Sequence, residues 1–219
     1  MKKTISEHAA RFSEAAPSYD DEKSEEYEAC AGLVVRRAAP AGSDTVLDLG
    51  TGTGAIALAL ADDADRVVGR DISEGMLEQA REKATEQGVD NVSFDYGEFR
   101  DPAYDGTAQV VTSNFALHHL SDAEKREAIE TVAAVDGGGT PSRGDTVGPR
   151  RIVLGDVMFF DGPDPAEPFF SPEVDDPATV GTLVDVFTDV GYAVTRVDRV
   201  HDQVGVLTAE RVVTGGRET

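Results

Sequence analysis

The segment that most constrains this chain is Val46-Leu47-Asp48-Leu49-Gly50-Thr51-Gly52-Thr53-Gly54, followed at once by the apolar run Ala55 to Ala61. A β-rich run stops at a glycine turn and a helical run begins without a spacer. That arrangement exposes backbone N–H groups at a helix start, where no Cβ keeps a ligand away. Gly50-x-Gly52-x-x-Ala55 also satisfies the dinucleotide-binding pattern, and Asp71 follows 19 residues after Gly52, at the end of the next β-rich run. An acid there accepts hydrogen bonds from ribose hydroxyls. These features indicate a nucleoside cofactor; the plain alternative is a glycine turn that only joins strand to helix.

The alternation continues downstream. Arg66 to Gly69, Val92 to Phe94, Ala108 to Ser113 and Ile152 to Leu154 read as strands. Helical patterns start after the cap Ser73 and run from Asp122 to Val135 and from Pro177 to Val190. Strands alternating with helices predict a parallel sheet covered on both faces. The end breaks the pattern: Ala193 to Val200 and Val204 to Val213 are separated only by His201-Asp202-Gln203. So short a link permits an antiparallel hairpin and forbids a parallel crossover. With the hairpin, the count is seven strands. Residues 136–150 are glycine-rich and read as a flexible loop, as does the first half of Asp156 to Asp189, a stretch without Lys or Arg. Residues 1–40 read as an acidic helical segment before the domain of residues 41–219.

Composition narrows the function. Among 219 residues, 42 acids against 20 Lys and Arg leave a net charge of -22, which argues against nucleic acid or anionic membrane as partner. No apolar run is long enough to span a bilayer, and Met1-Lys2-Lys3-Thr4 is not followed by a signal core. A single cysteine, Cys30, excludes a disulfide framework and cysteine-cluster metal sites, and on its apolar helix it reads as core. The expectation is a cytoplasmic protein. The acid excess with only five lysines also suggests adaptation to molar salt, which predicts a melting temperature that rises with KCl. At about 1 M salt the Debye length is only about 3 Å, so local motifs outweigh net charge.

Asp48 discriminates between cofactors. A carboxylate two residues before Gly50 repels a pyrophosphate and favours a ligand that bears an ammonium and a sulfonium. S-adenosylmethionine carries both and no phosphate. The bland alternative, in which Asp48 bonds loop amides, fits either cofactor. From Tyr19 to Val213 the sequence resembles the class I S-adenosylmethionine-dependent methyltransferases, small-molecule branch. Residues 46–54 match that family's first motif, Val68 to Leu77 its second, Phe115 to Leu120 the segment after its fourth strand, and Leu154 to Phe159 its fifth strand.

The resemblance implies a Rossmann-like doubly wound seven-stranded sheet, mostly parallel with the terminal hairpin. It also implies that Asp48, Gly50, Gly52 and Gly54, with Thr51 beside them, hold the methionine end of the cofactor. Asp71 would bind the ribose, Ile72 and Met76 flank the adenine, and Glu98 with Phe99 lie near the adenine amine. Asn114 and Ala116 would line the floor near the sulfonium, and Tyr19-Asp20 resembles a pair on the family's N-terminal lid. This sequence departs from the pattern in three places. Ala108-Gln109 stands where the fourth strand usually opens with an aspartate. Arg70 precedes Asp71 where an apolar residue is usual, either neutralising that acid or pointing to solvent. The tight turn before the fifth strand is replaced by the glycine-rich loop.

Methyl transfer from a sulfonium is an in-line displacement in which the protein mainly aligns and desolvates. A general base is needed only for a hydroxyl or carbon-acid acceptor. His118 is the candidate base, its alternative role being packing or capping before Ser121-Asp122; Tyr19 is a candidate to close over the methyl group. His8 and His201 lie at the edge of the motif map. No metal site is expected, because adjacent rings rarely reach one ion and no third ligand is evident in the sequence. The reading is methyl transfer to a small-molecule acceptor, with residues 1–40 and 156–176 as its substrate lid. Its rivals are an NAD(P)-dependent oxidoreductase, for which a Tyr-x-x-x-Lys pair is lacking, and a non-catalytic S-adenosylmethionine-binding module.

Overall fold

The parallel strands of the sheet are β1 (Thr45–Leu49), β2 (Arg66–Asp71), β3 (Val92–Tyr96), β4 (Val110–Asn114) and β5 (Arg151–Phe159). A two-residue strand, β6 (Ala178–Thr179), adds to β5, and the chain ends in the hairpin β7 (Tyr192–His201) and β8 (Val204–Arg211). The order across the sheet is β3-β2-β1-β4-β5-β8-β7, with β8 antiparallel to both neighbours. The computed structural model describes residues 4–138, 148–161, 170–171 and 174–212. Among these, no helix is long and apolar enough to cross a membrane.

Strand alternation sorts the core into two layers. Leu47, Leu49, Val111, Ile152 and Leu154 point to one face, under helices α5 (Asp122–Ala133) and α6 (Val180–Asp189). Val46, Val67, Val110, Val153 and Val206 point to the other, under α2 (Glu25–Ala38), α3 (Ala55–Leu60) and α4 (Glu74–Gln87). Both faces are therefore covered, which is why these strands read as nearly continuous apolar runs.

The first 40 residues divide in two. In α2, Cys30, Val34 and Ala38 recur every fourth position and are completely buried against the sheet. This helix is a structural layer on the sheet, and its Tyr27 reaches the cavity described below. Its start is capped by Ser24, with acids in the first turn and Arg36 and Arg37 in the last, as the helix dipole favours. Helix α1 (Ile5–Ala15) stands apart from the sheet and packs on α4, where Ser13 and Ser73 share a hydrogen bond of 2.8 Å.

Other boundaries shift for identifiable reasons. The fourth strand begins at Val110, and the Gln109 side chain before it accepts a bond from the Thr45 N–H (2.7 Å) and donates to the Gly137 carbonyl (3.2 Å). The last helix begins at Val180, since Ala178 and Thr179 pair with β5 and Thr179 caps the helix. Asp156 to Phe159, assigned by sequence to the lid, belong to β5 and lie within the sheet. The expected loop at 136–150 lies in part (139–147) outside the described residues, as do Pro163, Pro165, Pro168 and Pro172.

Candidate functional site

A cavity of about 400 Å³ opens at the carboxyl ends of β1, β2 and β4. One of its walls is the glycine turn. Gly50 adopts φ +65°, and a Cβ there would stand 2.5 Å from the Ala116 Cβ, so only glycine lets the turn approach the end of β4. Gly52, at φ +53°, has nothing within 4 Å of its Cβ position and faces open cavity. Parallel pairing of β1 with β2 brings Asp71 alongside the turn: its carboxylate accepts from the Gly52 N–H (2.8 Å) and the Ser73 N–H (2.9 Å). Burial raises the Asp71 pKa above the ordinary carboxylate value, and these backbone bonds oppose the rise. Asp71 lines the cavity, together with Ile72 and Met76.

Asp48 is close by but in a different role. It is 1% exposed, and its two oxygens accept from the Thr51 hydroxyl (2.6 Å) and the Thr112 hydroxyl (2.7 Å). Burial pushes its pKa up to about 6; the two hydroxyls pull it down and the charge of Asp71 pushes it further up. Asp48 bonds hydroxyls, not the loop amides its alternative reading foresaw. Neither Asp48, Thr51 nor Gly54 lines the cavity; all three build the turn from beneath. Gly54, in the left-handed region at φ +82°, is the N-cap of α3.

Glu98 and Phe99 line the cavity on the β3 side, and Glu98 accepts a 2.6 Å bond from the Tyr96 hydroxyl. Arg70 neither pairs with Asp71 nor points to solvent. It is 8% exposed and binds the Pro102 carbonyl (3.0 Å) and the Gly69 carbonyl (3.1 Å), tying down the loop after β3. At the end of β4, Asn114, Phe115 and Ala116 form the floor. Phe115 sits at φ +53°, a conformation that costs a non-glycine residue about 1–3 kcal/mol. The buried Asn114 amide has no hydrogen-bond partner in good geometry, although the Tyr27 phenol is near enough to interact with it.

The opposite wall comes from the N-terminal segment. Thr4, the N-cap of α1, and Ile5, His8 and Phe12 of that helix line the cavity with Tyr19 and Tyr27. A capping box between Thr4 and Glu7 starts α1, and the helical spacing of residues 5, 8 and 12 puts them on one face. Tyr19 is edge-on to both Phe12 and Tyr27, at 6.5 and 6.4 Å between centroids, and burial raises its pKa. Asp20 fastens the segment: it accepts from Thr53 (2.7 Å), pairs with Lys23 (2.6 Å) and contacts Lys83. Partial burial would raise its pKa, but these three partners outweigh burial and hold it at about 2.

The far end of the cavity is formed by the 3-10 turn Leu117–His119. His119, not His118, is the ring that lines it. His118 is turned back to Asp156, with Nδ1 to Oδ1 at 2.5 Å. His119 Nδ1 lies 2.7 Å from Asp175, and burial with the neighbouring His118 pushes its pKa down to about 4. His8 joins them, buried and with its ring centroid 5.0 Å from that of His119, while His201 ends β7. The buried Lys125 binds the carbonyls of Leu120 (2.5 Å) and Asp176, which ties the histidine turn to the segment bearing Asp175.

A family model described as a methyltransferase domain matches residues 46–137. The uncharacterized methyltransferase YcgJ of Bacillus subtilis is 36% identical over 57% of this chain and 49% of its own length. An uncharacterized methyltransferase of Bacillus pumilus is 30% identical over 70% of this chain and 68% of its own. The chain belongs to the class I S-adenosylmethionine-dependent methyltransferases. The fold agrees: DhpI, solved as a complex with SAH, superposes with a TM-score of 0.69 and 23% identity, covering 94% of this chain and 96% of DhpI. The match to YcgJ spans about half the length of that relative.

Sequence reading gives no role to the cavity residues His8, Phe12, Tyr27 and Phe115, nor to Asp156 and Asp175 behind the histidine turn; of the two adjacent ring candidates, His118 and His119, it favours His118, whereas His119 lines the cavity. The helical spacing of Ile5, His8 and Phe12 was the one available signal. Nothing local distinguishes Asp175 from its neighbouring acids.

Proposed function

We propose that the protein transfers a methyl group from S-adenosylmethionine to a small-molecule acceptor, chiefly by positioning. The observation that carries this reading is the shared cavity of Asp71, the open face of Gly52 and the Asn114 side chain. Together they offer a sugar-binding acid, room for a backbone-close ligand and a polar amide on the floor. When bound, the cofactor supplies an electrophilic methyl on a sulfonium. On this reading Asp71 accepts from the ribose hydroxyls, and Ile72 and Met76 enclose the adenine. Asp48 contributes negative potential from under the turn, which favours a cationic ligand over a pyrophosphate.

Helix α1 and the turn through Tyr19 act as the lid, and their aromatic faces exclude water from the acceptor space. Lid and domain then divide within residues 1–40, because α2 belongs to the sheet. A cavity enclosed by Phe12, Tyr19 and Tyr27 suits a small acceptor better than a polymer.

Isothermal titration with S-adenosylhomocysteine tests the cofactor half. Asp71→Ala is expected to weaken binding by about 10- to 100-fold, the range for hydrogen bonds to a charged group. Turnover of labelled S-adenosylmethionine against a small-molecule mixture tests the transfer. A wild-type protein that binds no S-adenosylhomocysteine removes the reading.

A further inference from the structure

Three of the chain's four histidines gather at one end of the cavity, alongside two buried carboxylates. The geometry points to a divalent transition-metal site formed by His118 Nε2, His119 Nδ1 and a carboxylate oxygen of Asp175. One donor atom from each of these residues lies within 4.8 Å of the others. Asp175 Oδ1 is 2.7 Å from His119 Nδ1 and 4.0 Å from His118 Nε2, so small adjustments bring all three to a common ion.

The surroundings are built for such a role. Asp156 accepts from the His118 backbone N–H (2.9 Å) and the Val157 N–H (2.8 Å), and its Oδ1 lies 2.5 Å from His118 Nδ1. Held at Nδ1 in this way, the His118 ring presents Nε2 to Asp175. A metal-binding histidine is commonly oriented by a carboxylate in this way. The second oxygen of Asp175 is anchored by the Ser171 N–H at 2.8 Å. All three side chains are at most 16% exposed, unlike a chance surface cluster of acids.

Two imidazoles and one carboxylate suit Zn²⁺ or Co²⁺, and three protein donors leave a coordination position for water or an acceptor oxygen. Sequence reading dismissed the His118-His119 pair for want of a third ligand; Asp175 arrives from 56 residues away.

The test uses the full chain without a histidine tag, stripped with a chelator and held in about 1 M KCl, where weak ion pairing to surface acids is screened. Titration with CoCl₂ should give one equivalent of binding and the visible bands of a nitrogen- and oxygen-ligated Co²⁺, and calorimetry with ZnCl₂ the same stoichiometry. His119→Ala and Asp175→Asn should abolish this site, Asp156→Asn should weaken it roughly 10- to 100-fold, and His201→Ala should leave it unchanged. Asp175→Asn, outside every helix and strand, keeps the test informative if a histidine variant fails to fold. Absence of stoichiometric binding to the wild type, or binding that survives both His119→Ala and Asp175→Asn, overturns the proposal. S-adenosylhomocysteine titrated into the same metal-free samples keeps this result separate from that of the methyl-transfer reading.

Discussion

The two ends of the cavity are built by opposite strategies. At the glycine end, the wall is mostly backbone from consecutive residues, and Asp71 is delivered by the pairing of adjacent strands. At the histidine end, side chains from α1, the turn after β4, β5 and the segment before β6 converge from across the chain. The first end requires glycine because Gly50, Gly52 and Gly54 occupy left-handed conformations that other residues resist. The second depends on tertiary packing, held by Asp156 on His118, Asp175 on His119 and Lys125 across the Leu120 and Asp176 carbonyls. On the proposed reading, the first end is the cofactor wall and the second the acceptor wall.

The sharpest way to break this contrast is Gly50→Val. At φ +65° with Ala116 in the way, a side chain there is expected to remove S-adenosylhomocysteine binding and to destabilise the protein by at least about 2 kcal/mol. Phe12→Ala, at the other wall, should leave that affinity nearly unchanged. Equal losses in calorimetry of the two variants would erase the distinction.

Asp48 gives a comparable effect on stability through pH. Its folded pKa of about 6 lies above the ordinary 3.8, so its protonated form is favoured by folding. Stability from this group is full below about pH 4 and is lost as pH rises through 6, a difference of about 3 kcal/mol. Denaturant unfolding of Asp48→Asn between pH 5 and 8 should lack that slope. A slope identical to that of the wild type would contradict the assignment.

Asp20 carries the opposite sign and the smallest effect. Its pKa is held at about 2, below the ordinary 3.8, so its contribution is present above about pH 4 and is lost as pH falls towards 2. Partly exposed, it should act on the N-terminal segment more than on global stability. Limited proteolysis between α1 and α2 should quicken in Asp20→Ala at neutral pH, and in the wild type near pH 3, while S-adenosylhomocysteine affinity at neutral pH changes little. Unchanged cleavage would mean that the aromatic contacts of Tyr19 hold the segment alone.

Much of the sheet was legible because it rests on local signals. The glycine turn, the alternating strands and the three-residue link His201–Gln203 each state their geometry within a few residues. Asp71, Ile72, Met76, Glu98, Phe99, Asn114 and Ala116 line the cavity because motif position and strand register coincide. Residues 1–40 were harder to read, since α1 and α2 are both helical and acidic while only α2 carries a buried stripe. The choice between His118 and His119 was not legible at all. It turns on which ring meets Asp156 and which meets Asp175.

The sequence by itself determined the order of strands and helices, the turn that must be glycine and the acid beside it. Backbone conformation and nearest-neighbour pairing are short-range properties, and they leave a mark on every stretch of chain. Only the tertiary structure decided that Asp48 works from below the turn, that α2 covers the sheet, and that three histidines share a corner with Asp156 and Asp175. Those outcomes depend on side-chain directions and on contacts between residues far apart in sequence, which no local pattern encodes.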